Sequence, residues 1–199
     1  VNHPPGWKPS KEEIAAAYGI VIPDVIAEDL KVLFCGINPS LYSGATGDHF
    51  ARPGNRFWTA LHASGFTDRL LHPSEKKKLL DSGLGVTNLV PRATARADEL
   101  DDDEFRAGVK ALEKKARRFR PRYIAFLGLG AYRIATGNKK ASVGPQKEAI
   151  GGSRVWLLPN PSGLNAHYQA ADLARVFSDL RKASTDPTAA WGSSRPPVR

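Results

Sequence analysis

Lys31-Val32-Leu33-Phe34-Cys35-Gly36-Ile37-Asn38-Pro39-Ser40 is a compact apolar run that stops at a glycine and then an Asn-Pro pair. Its apolar side chains do not alternate with polar ones. That is the pattern of a strand covered on both faces, as in a parallel sheet. The Gly, Asn and Pro that follow suit a tight turn at the carboxyl end of such a strand. Three further strands are read at 85–90, 123–127 and 154–158, the first of them the most mixed because it carries Thr87 and Asn88. Helical patterns separate them at 55–64, 74–81, 103–119, 131–136 and 166–183, with Ser74 as an N-cap after Pro73 and a leading helix over 11–18. Strands alternating with helices predict a single-domain α/β sandwich over residues 11–183, with a mainly parallel four-stranded central sheet flanked by helices. Residues 1–10 and 184–199 are rich in proline and polar groups and read as flexible N- and C-terminal segments.

In an open α/β sheet the ligand crevice lies outside the carboxyl ends of the strands. Four segments leave those ends: 36–40, 91–94, 128–130 and 159–164. In the first, Asn38 is locked by Pro39 and offers one acceptor and two donors, enough to hold a water in one orientation. The same side chain would equally serve as a turn cap. In the last, Asn160, Ser162 and Gly163 allow close backbone approach to a ligand, and Leu164 is an apolar tip. Such a tip acts as a wedge between base steps or packs back on the core. Between these segments runs a long Gly-rich loop, 42–58, in which Phe50 is apolar among polar neighbours and suited to stack on an extruded base. Phe57 and Trp58 read as core residues of the helix that follows.

Twenty-nine Lys and Arg against 20 Asp and Glu leave a formal charge of +9, which favours a polyanionic partner. The single Cys35 cannot pair internally or hold an iron–sulfur cluster, and His3, His49, His62, His72 and His167 show no metal-ligand spacing, so no cofactor and no metal is expected. No apolar run approaches the roughly 20 residues of a membrane span. The first residues lack the layout of a secretory leader. A cytoplasmic, nucleoid-associated protein with no membrane partner is therefore expected. The basic stretch from Lys110 to Arg122 follows four acidic residues that suit a helix N-terminus, and reads as a solvated face rather than a phosphate track. Cys35 and His62 are expected in or beside the core. His49 is a candidate for the pocket mouth, and His167 for a phosphate contact.

Taken together, G-I-N-P at 36–39, T-G-x-x-F-A-x-P-x-N-R-F-W at 46–58, G-V-T-x-L-V at 85–90 and L-P-N-P-S-G-L at 158–164 resemble the mismatch-specific uracil-DNA glycosylases, relatives of thymine-DNA glycosylase. The resemblance covers about 31–183. It implies a uracil-DNA glycosylase-like fold and a monofunctional enzyme that flips uracil from G:U or similar mismatches in double-stranded DNA and hydrolyses its N-glycosidic bond; with no interface motif in the sequence and a single lesion to meet, a monomer is expected. By the same resemblance Asn38 would orient the attacking water and Ile37 would line the pocket. Phe50 would stack on the base, Ser43 would lie near its edge, and Asn160 would bind the nucleotide. Leu164 would fill the gap in the stack, with Gly163 and Asn165 facing the orphaned guanine and Ser162 beside a phosphate. Ser40 and Asn165 depart from the residues the family commonly carries there. Two alternatives stay open: a glycosylase whose main target is another damaged base, and a module that binds mismatches without cutting. A lyase is disfavoured because neither site motif contains a lysine.

Overall fold

A computed structural model describes residues 7–163, 165 and 167–186. The expected strands become β1 (Val32–Gly36), β2 (Leu84–Asn88), β3 (Tyr123–Leu127) and β5 (Ser153–Leu158), joined by an unexpected β4 (Gly144–Ile150). The order across the sheet is β2-β1-β3-β5-β4, with all neighbours parallel except the β4–β5 pair. Every residue of β1, β2 and β3 is buried, as double-sided cover requires. The sheet therefore has five strands rather than four. The extra strand is an edge whose residues are largely exposed; it carries Pro145 and a register irregularity before Ala149. Edges tolerate such features because only one side of the strand needs partners.

Successive residues of β1 serve opposite layers. Val32 and Phe34 enter one core with Phe57 and Leu61 of α3 (Phe57–Ala63) and Phe177 and Leu180 of α6 (Ala170–Thr185). Leu33 and Cys35 enter the other, with Leu112 of α4 (Asp102–Phe119) and Tyr132 of α5 (Leu129–Thr136). The first core is aromatic: Phe34 meets Phe57 edge-on at 5.4 Å and stacks on Phe177 at 5.9 Å. Each fully buried ring of this kind contributes about 1.5–3 kcal/mol by removal from water.

Several local expectations change. Residues 73–82 form a 3₁₀ rather than an α-helix, with Leu79 its one buried residue; it begins at Pro73, and His72, not Ser74, is its N-cap. A six-residue helix, α2 (Leu41–Thr46), occupies part of the expected Gly-rich loop. The leading helix is shorter, α1 (Lys11–Ala16), and α6 reaches Thr185, so Ser184 is buried rather than part of a tail. His62 is exposed, whereas Cys35 is 1% exposed, and burial pushes its thiol well above its usual range. The basic stretch lies on α4 and just beyond it. Its apolar face (Phe105, Gly108, Leu112, Ala116) is buried, while Lys115 pairs with Asp24 and Arg120 with Glu28 and Asp29.

The chain moves from β1 to β2 on one side and then crosses to β3 on the other. That reversal opens a crevice at the carboxyl ends of β1 and β3.

Candidate active site

At that crevice lies a cleft of about 680 Å³, lined by residues of all four expected segments or their neighbours. Parallel pairing continues past the strand ends: Leu89 and Val90 donate their N–H groups to the carbonyls of Gly36 and Ile37. This ties the Asn38 turn to the segment after β2. The Thr94 N–H bonds the Pro39 carbonyl at 3.2 Å, closing the same seam further on.

Asn38 stands in the seam with its orientation decided by its partners. Nδ2 donates to the Arg92 carbonyl at 3.2 Å and to Thr94 Oγ1 at 2.7 Å. A backbone carbonyl only accepts, so the nitrogen end must face Arg92. Thr94 spends its own hydrogen on the Arg96 carbonyl, 2.7 Å away, and must therefore accept from Asn38. With both amide hydrogens committed, no donor among the described residues reaches Oδ1. The Arg92 carbonyl is itself steadied, because the Arg92 guanidinium makes a two-pronged pair with Glu104 at 2.6 and 2.8 Å.

The other wall is aromatic and polar. Phe50 has φ of +54°, a left-handed conformation rare for a bulky residue, and its ring lies 4.1 Å from that of Phe57. Ser43, 2% exposed, receives hydrogen bonds from Ser40 Oγ and from the Ala51 N–H, so it braces the loop that carries Phe50. Gly36 is obligatory for space: a Cβ there would come within 2.5 Å of Asn88 Oδ1 and 3.1 Å of the Phe50 ring.

The loop after β5 is held to the α3 entrance. Arg56 donates to the carbonyls of Tyr168, Ser162 and Asn165 at 2.6, 2.7 and 2.9 Å, and its backbone N–H bonds Pro161. Gly163 packs against Gly54, whose carbonyl would be 2.7 Å from a Cβ at 163. Asn160 Oδ1 accepts from the Ser162 N–H.

The sequence model of the uracil DNA glycosylase superfamily matches residues 23–181, most of the chain and all of the elements that build this cleft. The chain belongs to that superfamily. The solution NMR structure of a candidate uracil DNA glycosylase from Methanosarcina acetivorans is similar to it in fold, with a TM-score of 0.54 and 22% identity over 82% of this chain and 98% of that one. Membership makes the protein a glycosylase: a hydrolase of N-glycosyl bonds acting on DNA.

Among the residues expected to form a glycosylase site, Ile37, Asn38, Ser43, Phe50, Asn160, Ser162 and Asn165 all line the cleft. Gly163 is on the braced loop beside it, and His167 is exposed further along. Leu164 lies outside the described residues. The two departures from the usual family residues have local explanations. Ser40 is the N-cap of α2, accepting from the Ser43 N–H. Asn165 closes its own loop by donating to the Asn160 carbonyl and accepting from the His167 N–H.

Three residues beyond those expected also shape the site: Thr94 and Asn88 line the cleft and Arg56 braces it. His49, a candidate for the mouth, lines the cleft as well but is 2% exposed, its ring turned to Pro23 and Asn88. Asn88 had a signal in the sequence, since a polar side chain at the end of a buried strand needs a reason. The roles of Thr94 and Arg56 carried none. Among the described residues no group of three His, Cys, Asp or Glu is placed to hold a metal ion.

Proposed function

We propose that the protein is a monofunctional, monomeric glycosylase that extrudes uracil from mispaired double-stranded DNA and hydrolyses its N-glycosidic bond, initiating base excision repair in the cytoplasm. The observation that carries this is the Asn38 amide, anchored through both N–H groups with its carbonyl oxygen left for a water in the cleft.

The chemistry suits that inventory. Uracil leaves as an anion: the C1′–N1 bond breaks, its electron pair goes to the base, and the sugar becomes a cation. A water held by Asn38 Oδ1 then bonds to C1′ and releases its proton to solvent. An amide orients water but does not take its proton, so the leaving base and not the nucleophile carries the reaction forward, and turnover is slow. Backbone N–H groups at the base, in a site cleared of water, stabilise the developing anion. The Phe50 ring offers the stacking face. A mispaired base costs less to extrude than a paired one, which supports selectivity before chemistry begins. The loop after β5 is the element that would enter the duplex, with Leu164 as its apolar wedge. Arg52 gives the cleft positive charge, whereas Arg96 is paired there with Asp98, and no lysine among the described residues lines it, which favours hydrolysis over a Schiff-base lyase route.

The test is single-turnover base release from U:G, U:A and T:G duplexes by the wild type and Asn38→Ala. Release from U:G that falls by roughly 100-fold or more in the variant, with DNA affinity retained, is expected. Release that survives the substitution moves the water to another group. Tight mismatch binding with no release from any duplex replaces the enzyme by a recognition module.

A further inference from the structure

Beside the sheet edge lies a second cavity, of about 450 Å³, that shares no lining residue with the cleft. It is a trough between β4, β5 and α6, walled by Val143, Trp156, Tyr168 and Val176, with Arg175 and Asp179 of α6 at its rim. Val143, Trp156 and Tyr168 pack against the aromatic core yet are only partly buried, so apolar surface is left facing the trough. The Trp156 ring stands edge-on to Tyr123 at 6.3 Å. Its Nε1 is sheltered from solvent and has no hydrogen-bond partner. An indole N–H only donates, and a sheltered donor without an acceptor is costly. The trough therefore suits an apolar group that brings an acceptor with it.

The chain leaves α6 close by. Arg122 donates to the carbonyls of Ser184 and Asp186 at 3.3 and 2.7 Å, and the Tyr123 hydroxyl to that of Ala183 at 3.4 Å. The exit is thus pinned beside the ring that meets Trp156. Pro187 follows, and a proline does not continue a helix. Residues 187–199 lie outside the described residues; their sequence holds two arginines, no acidic residue and one aromatic, Trp191, set between Ala190 and Gly192. From Val176 to Asp186 the chain rises about 15 Å at the helical pitch. The five residues from Asp186 to Trp191 reach up to about 17 Å when extended. The segment is long enough to run back along α6 and bring Trp191 to the trough.

We propose that the trough is the docking site of this chain's own segment 187–199: Trp191 fills it between Val143, Trp156 and Val176, and a carbonyl of the segment accepts the Trp156 N–H. Asp179 at the rim gives the arginines of the segment a counter-charge. The occupant is the same chain and not a second copy. One aromatic ring buries about 150–250 Å², far below the roughly 1,200–2,000 Å² of a stable interface between proteins. A tether, by contrast, raises the local concentration of Trp191 to about the millimolar range, enough to fill a site of that size. The docked segment lies against Tyr168, whose carbonyl Arg56 holds together with those of Ser162 and Asn165, so it extends the brace on the loop after β5. None of this depends on which base the enzyme releases.

The test is ¹H–¹⁵N NMR of the DNA-free full chain carrying a nitroxide on the thiol of Ser193→Cys; Cys35, 1% exposed, stays unlabelled. The expected result is loss of the Gly144, Arg175 and Asp179 amide signals, while those of Asp103 and Glu113, on α4 in the opposite layer, keep their intensity. Adding Trp191→Ala should restore the lost signals. In Trp191→Ala without the label, the Trp156 indole N–H should exchange with water about tenfold faster, as loss of one hydrogen bond requires. Both substitutions lie beyond the last helix, so the domain folds in either. Groove signals that keep their intensity, losses that persist with Trp191→Ala, or an unchanged Trp156 exchange rate overturns the proposal. Losses seen in ¹⁵N chains without a nitroxide, mixed with nitroxide-bearing chains at natural isotope abundance, make the occupant a second copy and overturn it as well.

Discussion

Thr94→Val isolates the device that aims Asn38. Valine keeps the shape of threonine but replaces a hydroxyl that is 1% exposed, accepts from Asn38 Nδ2 at 2.7 Å and donates to the Arg96 carbonyl at 2.7 Å. Two hydrogen bonds of about 1 kcal/mol each are lost, and the added methyl returns part of this, so a net destabilisation of about 1–2 kcal/mol is expected. For a domain of this size that lowers Tm by roughly 2–8 °C. The effect on chemistry is separate. Asn38 keeps only its longer bond to the Arg92 carbonyl, and a loss of about 1.4 kcal/mol of orientation corresponds to about a tenfold slower step. Single-turnover uracil release at saturating enzyme, well below the variant's Tm, reads that step directly. Thr94→Ser, which restores the hydroxyl, should recover the rate. A Thr94→Val enzyme that releases uracil at the wild-type rate refutes the claim that Thr94 orients Asn38. A loss that serine does not recover assigns the effect to packing.

Gly108→Ala on α4 should destabilise by about 1–3 kcal/mol in urea unfolding, although alanine is the better helix former, because the new Cβ would stand 2.4 Å from the Leu89 carbonyl, a backbone atom with no room to yield. Unchanged stability would mean that the helix shifts freely against the end of β2. Arg56→Lys replaces three planar bonds to loop carbonyls by one mobile ammonium, and should weaken mismatch binding about tenfold while leaving the salt dependence of binding as it was. A shallower salt slope in titrations would instead make Arg56 a phosphate contact.

Strands β1, β3 and β5 were legible because cover on both faces leaves apolar runs that no helix period explains. β4 was not legible. Its Pro145, Gln146, Lys147 and Glu148 carry no strand pattern, and its pairing is supplied by β5 rather than by its own side chains. α2 escaped for a related reason, being six residues long and started by the Ser40 cap instead of an apolar stripe.

The sequence by itself determined the layer architecture, the end of the sheet where the cleft lies, and Asn38 as a polar group held by Pro39 at a strand's carboxyl end. Those are local properties: burial pattern, turn chemistry and the order of elements. Only the tertiary structure decided what each polar side chain does there. An asparagine is donor and acceptor at once, and nothing in its neighbours along the chain says which end meets the substrate. For Asn38 the answer comes from Arg92 and Thr94, 54 and 56 residues away, and for Asn88 from His49 and, behind it, the carbonyl of Pro23. The deciding atoms are acceptors with no alternative, and folding alone brings them within reach.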